Sequence, residues 1–182
     1  ANGGERMIDD ISTAFKWNQK DALFAEQILA YEGTPAAIKY FSAHSSELSD
    51  YGYWFFLSTL WVSYTEYSDL KIWKTLFASQ RPNKAIGIMK PSELKAFDNL
   101  PNKLTLYRAH RPNESDWIAY TLDTTVAKHF AKEHKVNQIS VYRVKKNHVL
   151  ALFLRRSEQE IIVLDKSLVK LKKIIPLSEV SA

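Results

Sequence analysis

The spacing of apolar residues changes from a helical period to a strand period near residue 101. Before that point, apolar side chains recur every three or four positions, and Gly33, Pro35 and Pro101 punctuate the pattern. This predicts four helices and a shorter fifth in "DDISTAFKWNQKDALFAEQILAYEG", "TPAAIKYFSAH", the aromatic run around Trp54 to Trp61, "SDLKIWKTLFAS" and "KPSELKAFDNLP". Thr34 and Ser68 are the expected N-caps of the second and fourth helices. The expected packing positions of the first helix are Ile11, Phe15, Leu23, Phe24, Ile28 and Leu29.

Short alternating segments follow Pro101 and predict a sheet. The segments are "KLTLYRAH", "WIAYTLD", "NQISVYRVKK", "HVLALFL", "EIIVLD" and "VKLKKIIPL". One helix interrupts them, "DTTVAKHFAKEH", with Thr124 as its expected cap. The chain therefore reads as an α+β protein, with a helical region over residues 1–100 and a mostly β core over residues 101–182.

The composition predicts a folded protein without disulfides, thiolate zinc sites or a membrane span. The apolar fraction of 46% argues against disorder, and a chain without Cys can form neither disulfides nor thiolate zinc sites. The most apolar stretch, from Tyr51 to Tyr64, is shorter than the roughly 20 residues that span a bilayer, so we read it as a buried helix and expect no membrane partner. The N-terminus carries no signal-peptide pattern, and we expect a cytoplasmic protein.

Charge is distributed unevenly between the two parts. Residues 1–100 carry 10 Lys or Arg against 12 Asp or Glu, a balance of −2, whereas residues 101–182 carry 15 against 8, a balance of +7. The second part should attract anions, whether nucleic acid, a phosphorylated cofactor or an acidic partner. Ordinary solvated lysines explain the same excess, particularly in "VKLKK".

Several familiar catalytic patterns are missing. His129 and His134 lie five residues apart, so they do not share a helix face as the ligands of a metalloprotease do, and we expect no metal. Neither a P-loop nor a dinucleotide-binding glycine motif occurs, and Ser157 lacks the glycine elbow of serine hydrolases.

Polar residues stand out in three of the predicted strands. Arg108 follows Tyr107 in "LYRAH", Thr121 lies in "WIAYTLD", and Glu158 and Glu160 open "EQEIIV". Residues two apart in a strand share a face, which would place these two carboxylates roughly 6 to 7 Å apart. A solvated strand end is one explanation. A site for an anion and a sugar is the other.

The order of these segments resembles a known family. "LYRAH", "WIAYTLDTTVAKHFA", "ISVYRV", "VLALF" and "RRSEQEIIV" are similar to the catalytic domain of mono-ADP-ribosyltransferases of the arginine-serine-glutamate, cholera-toxin-like type, especially bacterial and phage members. The resemblance covers roughly Leu104 to Asp165. It implies a mixed β-sandwich core and NAD as a substrate, without a metal.

The resemblance also implies roles for individual residues. Glu160 would bind the ribose next to the nicotinamide and stabilise the positive charge that develops there, and Glu158 would position or deprotonate the acceptor. Arg108 would contact the phosphates and ribose of NAD, and Thr121 would brace the pocket by hydrogen bonding. The residues expected at the NAD pocket are Arg108, Tyr107, Ala109, Tyr120, Thr121 and Phe130.

Two positions depart from the family pattern. Ala119 stands where relatives commonly have Ser, and Ala109 stands where they often have Gly after the first-strand arginine. These changes affect the geometry expected for the pocket rather than the reaction class.

The resemblance leads to an expected function. The chain would transfer ADP-ribose from NAD to a macromolecular acceptor, as a toxin or effector in conflict between bacteria, phages or hosts, with an antitoxin or inhibitor protein as a further partner. Glu158 and the upstream "FLRRS" favour a protein arginine as acceptor, whereas the basic second half favours RNA or DNA. Two alternatives stay open: a non-catalytic nucleic-acid-binding module on the same fold, and an NAD glycohydrolase.

Overall fold

The computed structural model describes residues 10–64 and 69–180 and confirms an α+β protein. The seven α-helices in these residues are α1 (Gln19–Ile28), α2 (Pro35–His44), α3 (Asp50–Ser63), α4 (Leu70–Phe77), α5 (Lys84–Ile88), α6 (Pro91–Asp98) and α7 (Thr124–Glu133). The six strands are β1 (Lys103–Arg108), β2 (Ala119–Thr121), β3 (Gln138–Lys145), β4 (Ala151–Phe153), β5 (Glu160–Ile162) and β6 (Lys170–Pro176). The chain divides into two compact units, Ala1–Lys95 and Ala96–Ala182.

The first unit is built on aromatic side chains. Phe41, Trp54, Trp73 and Phe77 are fully buried, and the rings of Trp73 and Phe77 stack at 6.2 Å between centroids. The apolar run from Tyr51 to Tyr64 forms most of α3, where Trp54 and Leu57 are buried. Among the described residues, no helix is long and apolar enough to cross a membrane.

The first helix is shorter than the sequence predicts. It begins at Gln19, where the Asn18 side chain caps it by accepting a hydrogen bond from the amide of Asp21 at 3.1 Å. Further upstream, the Ser12 hydroxyl accepts from the amide of Ala14 at 3.1 Å. Such side-chain bonds offer the backbone an alternative to helix. Of the expected packing positions only Phe24 and Ile28 are buried; the exposed ones are Ile11, Phe15, Leu23 and Leu29.

The N-caps of α4 and α7 differ from those that the sequence predicts, and that of α2 makes no side-chain capping bond. Thr34 does occupy the N-cap position of α2, but its hydroxyl donates to the carbonyl of Tyr31 at 2.6 Å and does not cap the helix. Ser68 lies outside the described residues, and Asp69 is the N-cap of α4. Asp123 rather than Thr124 caps α7, because its carboxylate accepts from the amide of Thr125 at 2.8 Å.

The second unit contains one six-stranded antiparallel sheet in the order β4-β5-β2-β1-β3-β6. All six expected strands form, and the sandwich arrangement stays a prediction. The register pairs Tyr107 with Thr121, and Thr121 with Glu160. Directly paired residues of an antiparallel sheet have side chains on the same face. These three side chains therefore form a row across β1, β2 and β5.

Helix α7 packs against this unit through small residues. Its Ala127 and Ala131 are buried in a cluster with Ala109, Ile139 and Val180, and the partly buried Tyr107 and Phe130 lie against that cluster. Only Leu122 and Asp123 separate the end of β2 from the start of α7. The packing therefore fixes Thr121 next to the first turn of a helix.

Candidate functional site

The row of Tyr107, Thr121 and Glu160 defines one face of the sheet, which we call the Thr121 face. Thr121 and Glu160 are 5% and 7% exposed. Glu160 is the first residue of β5 and pairs with Phe153 of β4 on its other side. A buried glutamate is rare in proteins unless it has a partner. Its position therefore indicates a dedicated interaction rather than a solvated strand end.

The expected strand geometry of Glu158 is wrong. β5 begins only at Glu160, and the intervening Gln159 has φ 43, outside the extended region. Ser157 also has a left-handed φ of 57. The alternation of an extended strand therefore does not apply to residues 157–159. Left-handed conformations cost free energy in non-glycine residues and cluster at functional sites.

A single guanidinium joins the two carboxylates. Arg156 Nη2 donates to both carboxylate oxygens of Glu160 at 3.2 Å, and its Nε lies 3.5 Å from Glu158 Oε2. The side chain of Arg156 is 29% exposed and that of Glu160 is 9% exposed. Charge-assisted hydrogen bonds between partly buried side chains are stronger than those between side chains fully exposed to solvent. The arrangement brings Glu158 and Glu160 to one cation although they do not share a regular strand.

Thr121 holds the turn that carries these charges, which comprises residues 154–159 and is called the Arg156 turn below. The Thr121 hydroxyl donates to the carbonyl of Glu158 at 2.6 Å and accepts from the amide of Asp123 at 3.1 Å. The amide of Leu122 donates to the carbonyl of Gln159 at 3.1 Å. Thr121 thus connects the Arg156 turn to the first turn of α7.

Arg108 lies on the opposite face of the sheet. It follows Tyr107 in β1, so its side chain leaves the strand on the other side, and it pairs with Ser140 of β3. Its Nη1 donates to the carbonyl of Ala119 at 2.7 Å, and its Nε donates to Glu114 Oε1 at 3.0 Å. The structure does not bring Arg108 into the row of Tyr107, Thr121 and Glu160.

Glu114 is the ionic partner that the sequence did not reveal. Its side chain is 9% exposed. Burial by itself raises the pKa of Glu114, but the nearby His110 ring, whose Nδ1 lies 3.7 Å from Glu114 Oε1, the charge of Arg108 and the backbone amide of Arg111 outweigh it and lower the pKa to about 2. The carboxylate therefore remains charged at neutral pH, and the Arg108–Glu114 pair holds the loop between β1 and β2.

Tyr120 also belongs to the Arg108 side of the sheet. It is 4% exposed, and its hydroxyl accepts a hydrogen bond from Trp117 Nε1 at 2.9 Å. Its ring meets that of Tyr142 edge to face at 5.4 Å. Burial is the main reason that the pKa of Tyr120 is raised to about 12, so its hydroxyl stays protonated. Tyr120 fills the core on this side and is separated by the sheet from Glu160.

Ala109 and Phe130 serve the packing of α7. Ala109 is buried directly after β1, and its carbonyl accepts from His134 Nδ1 at 3.0 Å. Phe130 stacks on the His134 ring at 5.9 Å. Burial lowers the pKa of His134, the bond to Ala109 opposes this effect, and the charges of Arg111 and Arg108 add to it. The neutral form of His134 is favoured.

An open cleft of about 630 Å³ lies beside the ends of β1 and α7. Its lining includes His110, Arg111, Lys135 and Ser140. Glu158 and Glu160 do not line it. The cationic lining suits an anionic group, but this cleft is separate from Glu158 and Glu160.

Two residues of this region were not predicted as parts of a site. The sequence shows Arg156 only as one of the two basic residues of "FLRRS", and a spacing of four residues in a turn does not by itself predict its contact with Glu160. Glu114 gave no signal, because only the fold of the loop between β1 and β2 returns it to Arg108.

Among residues 10–64 and 69–180, no group of three or more His, Asp and Glu side chains is arranged to hold a metal ion. No protein-family model, curated protein or solved structure matches this chain. The function of this chain is therefore inferred from the geometry and chemistry of its own residues.

Proposed function

We propose that this chain is an NAD-dependent mono-ADP-ribosyltransferase. The observation that carries the proposal is the buried Glu160, in register with Thr121 and joined to Glu158 by a shared guanidinium. A β-sandwich arrangement of the second unit is part of the proposal. It is supported by the position of α7 directly after β2, the order that the resemblance implies, and it requires the six-stranded sheet to divide into two packed layers.

Glu160 would act on the NAD substrate. Cleavage of the nicotinamide–ribose bond expels a base that is already cationic in NAD, so the leaving group needs little acid assistance and positive charge develops on the ribose. A fixed carboxylate stabilises such a charge most effectively where water is excluded. At 7% exposure Glu160 satisfies that condition.

Glu158 would act on the acceptor. Its side chain is 26% exposed, so it can receive a proton from an incoming nucleophile at the mouth of the site. The two carboxylates already bind a guanidinium in the form of Arg156. This contact supports a protein arginine as acceptor over a nucleic acid.

The role proposed for Arg108 differs from the direct contact with NAD that the resemblance implies. Its guanidinium is engaged by Glu114 and by the carbonyl of Ala119. We propose that Arg108 supports NAD binding by holding the loop between β1 and β2. Because the side chain of Arg108 leaves β1 on the face opposite Glu160, this role is indirect and needs no contact between its guanidinium and NAD.

The test is transfer of label from NAD to a bacterial lysate by the pure protein. We expect Glu160→Gln to abolish labelling, while Glu179→Gln, a matched change at an exposed carboxylate of the same unit, leaves it unchanged. Protease treatment should remove the labelled material and nuclease should not. Equal labelling by the Glu160→Gln protein would refute the proposal. Nicotinamide release without labelled macromolecule would instead identify an NAD glycohydrolase.

A second candidate function is nucleic-acid binding without catalysis. Lys170, Lys172 and Lys173 are all exposed along β6, which is an edge strand of the sheet. Such a row of cations suits a phosphate backbone. No NAD cleavage together with salt-dependent RNA binding would favour this function.

The biological part of the proposal is a toxin or effector whose partner is an antitoxin or inhibitor protein. Expression of the wild-type chain in bacteria should arrest growth, and expression of the Glu160→Gln chain should not. Equal growth of both strains would contradict the toxin role.

A further inference from the structure

The guanidinium of Arg156 occupies the place where an acceptor arginine would meet the carboxylates. It donates to both oxygens of Glu160 at 3.2 Å through Nη2, while its Nε faces Glu158 at 3.5 Å. A planar guanidinium is well matched to carboxylates in this way, whereas a lysine ammonium acts as a point charge. The side chain is 29% exposed, so Arg156 is partly accessible at the mouth of the site.

The neighbouring arginine has a different environment. Arg155 lies over the ring of Phe153, with 5.4 Å between its guanidinium carbon and the ring centroid. Both arginines belong to the same short turn. Arg155 is therefore a neighbouring arginine in a different environment, and its substitution serves as the matched control for Arg156.

Two hydrogen bonds fix the turn that carries Arg156 beside the carboxylates. The Thr121 hydroxyl binds the carbonyl of Glu158, and the amide of Ser157 donates to the carbonyl of Leu154 at 3.1 Å. A nucleophile tethered in a fixed geometry reacts as if it were present at a very high concentration. An arginine on another protein has to compete with this tethered side chain.

We propose that Arg156 is a modification site of the chain itself, and that it accepts ADP-ribose in cis. The inference rests on the proposed transferase activity. A nitrogen of the Arg156 guanidinium attacks C1′ of the nicotinamide ribose and forms an N–C bond. The bond between C1′ and the nicotinamide nitrogen breaks, and its electron pair leaves with neutral nicotinamide. The proton lost by the guanidinium passes to Glu158. No oxidant, reductant or metal is consumed.

The experiment incubates the full chain with NAD alone and measures two quantities in parallel, nicotinamide release and ADP-ribose bound to each peptide by mass spectrometry. We expect at most one ADP-ribose per chain, on the peptide that contains Arg156. Arg155→Gln should retain this label, and Arg156→Gln should lose it when the label is expressed per nicotinamide released. Label elsewhere, or label that persists in Arg156→Gln, would overturn the inference.

A mixing experiment tests the cis route. Wild-type protein and the Glu160→Gln chain, distinguished by an affinity tag, are incubated together with NAD. We expect label on the wild-type chain only, and label on the Glu160→Gln chain would refute modification in cis.

The two proposals fail in different ways. Nicotinamide release and labelled lysate without label on Arg156 would contradict self-modification and leave the transferase proposal standing. No nicotinamide release by the wild type would overturn both.

Discussion

At the scale of single residues, Glu114 makes stability depend on pH. Its pKa falls from an ordinary 4.5 to about 2 in the folded protein, because His110, Arg108 and the amide of Arg111 together outweigh the effect of burial. A carboxylate with a lowered folded-state pKa contributes stability above its unfolded-state pKa and loses that contribution as the pH falls through the folded-state value. The contribution of Glu114 should therefore be complete above about pH 4.5 and disappear towards pH 2.

We expect Glu114→Gln to lower the free energy of unfolding at neutral pH by up to about 3 kcal/mol, the equivalent of this pKa shift. The variant should also lose the part of the pH dependence that lies between pH 4.5 and 2. Urea unfolding at a series of pH values measures both effects, with Glu179→Gln as the exposed control. If the free energy of unfolding depended on pH in the same way in the wild type and in Glu114→Gln, the Arg108–Glu114 pair would not stabilise the fold.

At the scale of elements, Thr121 links three of them: β2, the Arg156 turn and α7. Its hydroxyl donates to the carbonyl of Glu158 and accepts from the amide of Asp123. Thr121→Val keeps the shape but removes both bonds, which costs about 1–3 kcal/mol when the remaining groups are buried. ADP-ribose transfer should also fall in this variant, because the turn that carries Glu158 and Arg156 loses its hydrogen bond to Thr121.

Thr121→Ser is the matched variant, since it retains the hydroxyl and loses only a methyl group. The free energy of unfolding and the NAD-dependent labelling of Thr121→Ser should both be close to the wild-type values. If Thr121→Val labelled acceptors as well as Thr121→Ser does, the hydroxyl would have no part in positioning the turn.

The sequence predicted the elements better than it predicted the contacts between them. Alternation identified the strands, and an antiparallel register then places Tyr107, Thr121 and Glu160 in one row. The same rule failed for Glu158, because Gln159 adopts a left-handed φ that no local pattern announces. The pairing of Arg108 with Glu114 depends on how the loop folds back, which the spacing of six residues does not encode.

At the scale of the whole molecule, charge is the property that separates the two halves of the chain. The second half carries a balance of +7 and the first a balance of −2. Part of the excess lies on β6, whose lysines are exposed and lie at the edge of the sheet. Lysines on an edge strand also discourage pairing with another sheet, so their presence by itself does not show a binding role.

Salt dependence distinguishes these two uses of the lysines. If β6 contacts single-stranded RNA, replacing its three lysines with Gln should weaken binding and reduce the slope of log affinity against log salt by about 2, since each phosphate contact contributes about 0.7. Fluorescence anisotropy across a salt series measures this slope. The matched control replaces three exposed lysines of the first unit with Gln: Lys20, Lys39 and Lys71. Equal slopes in the two triple variants would contradict RNA binding by the β6 lysines, whereas a loss confined to the β6 variant would support a nucleic-acid surface on this edge strand, away from Glu160.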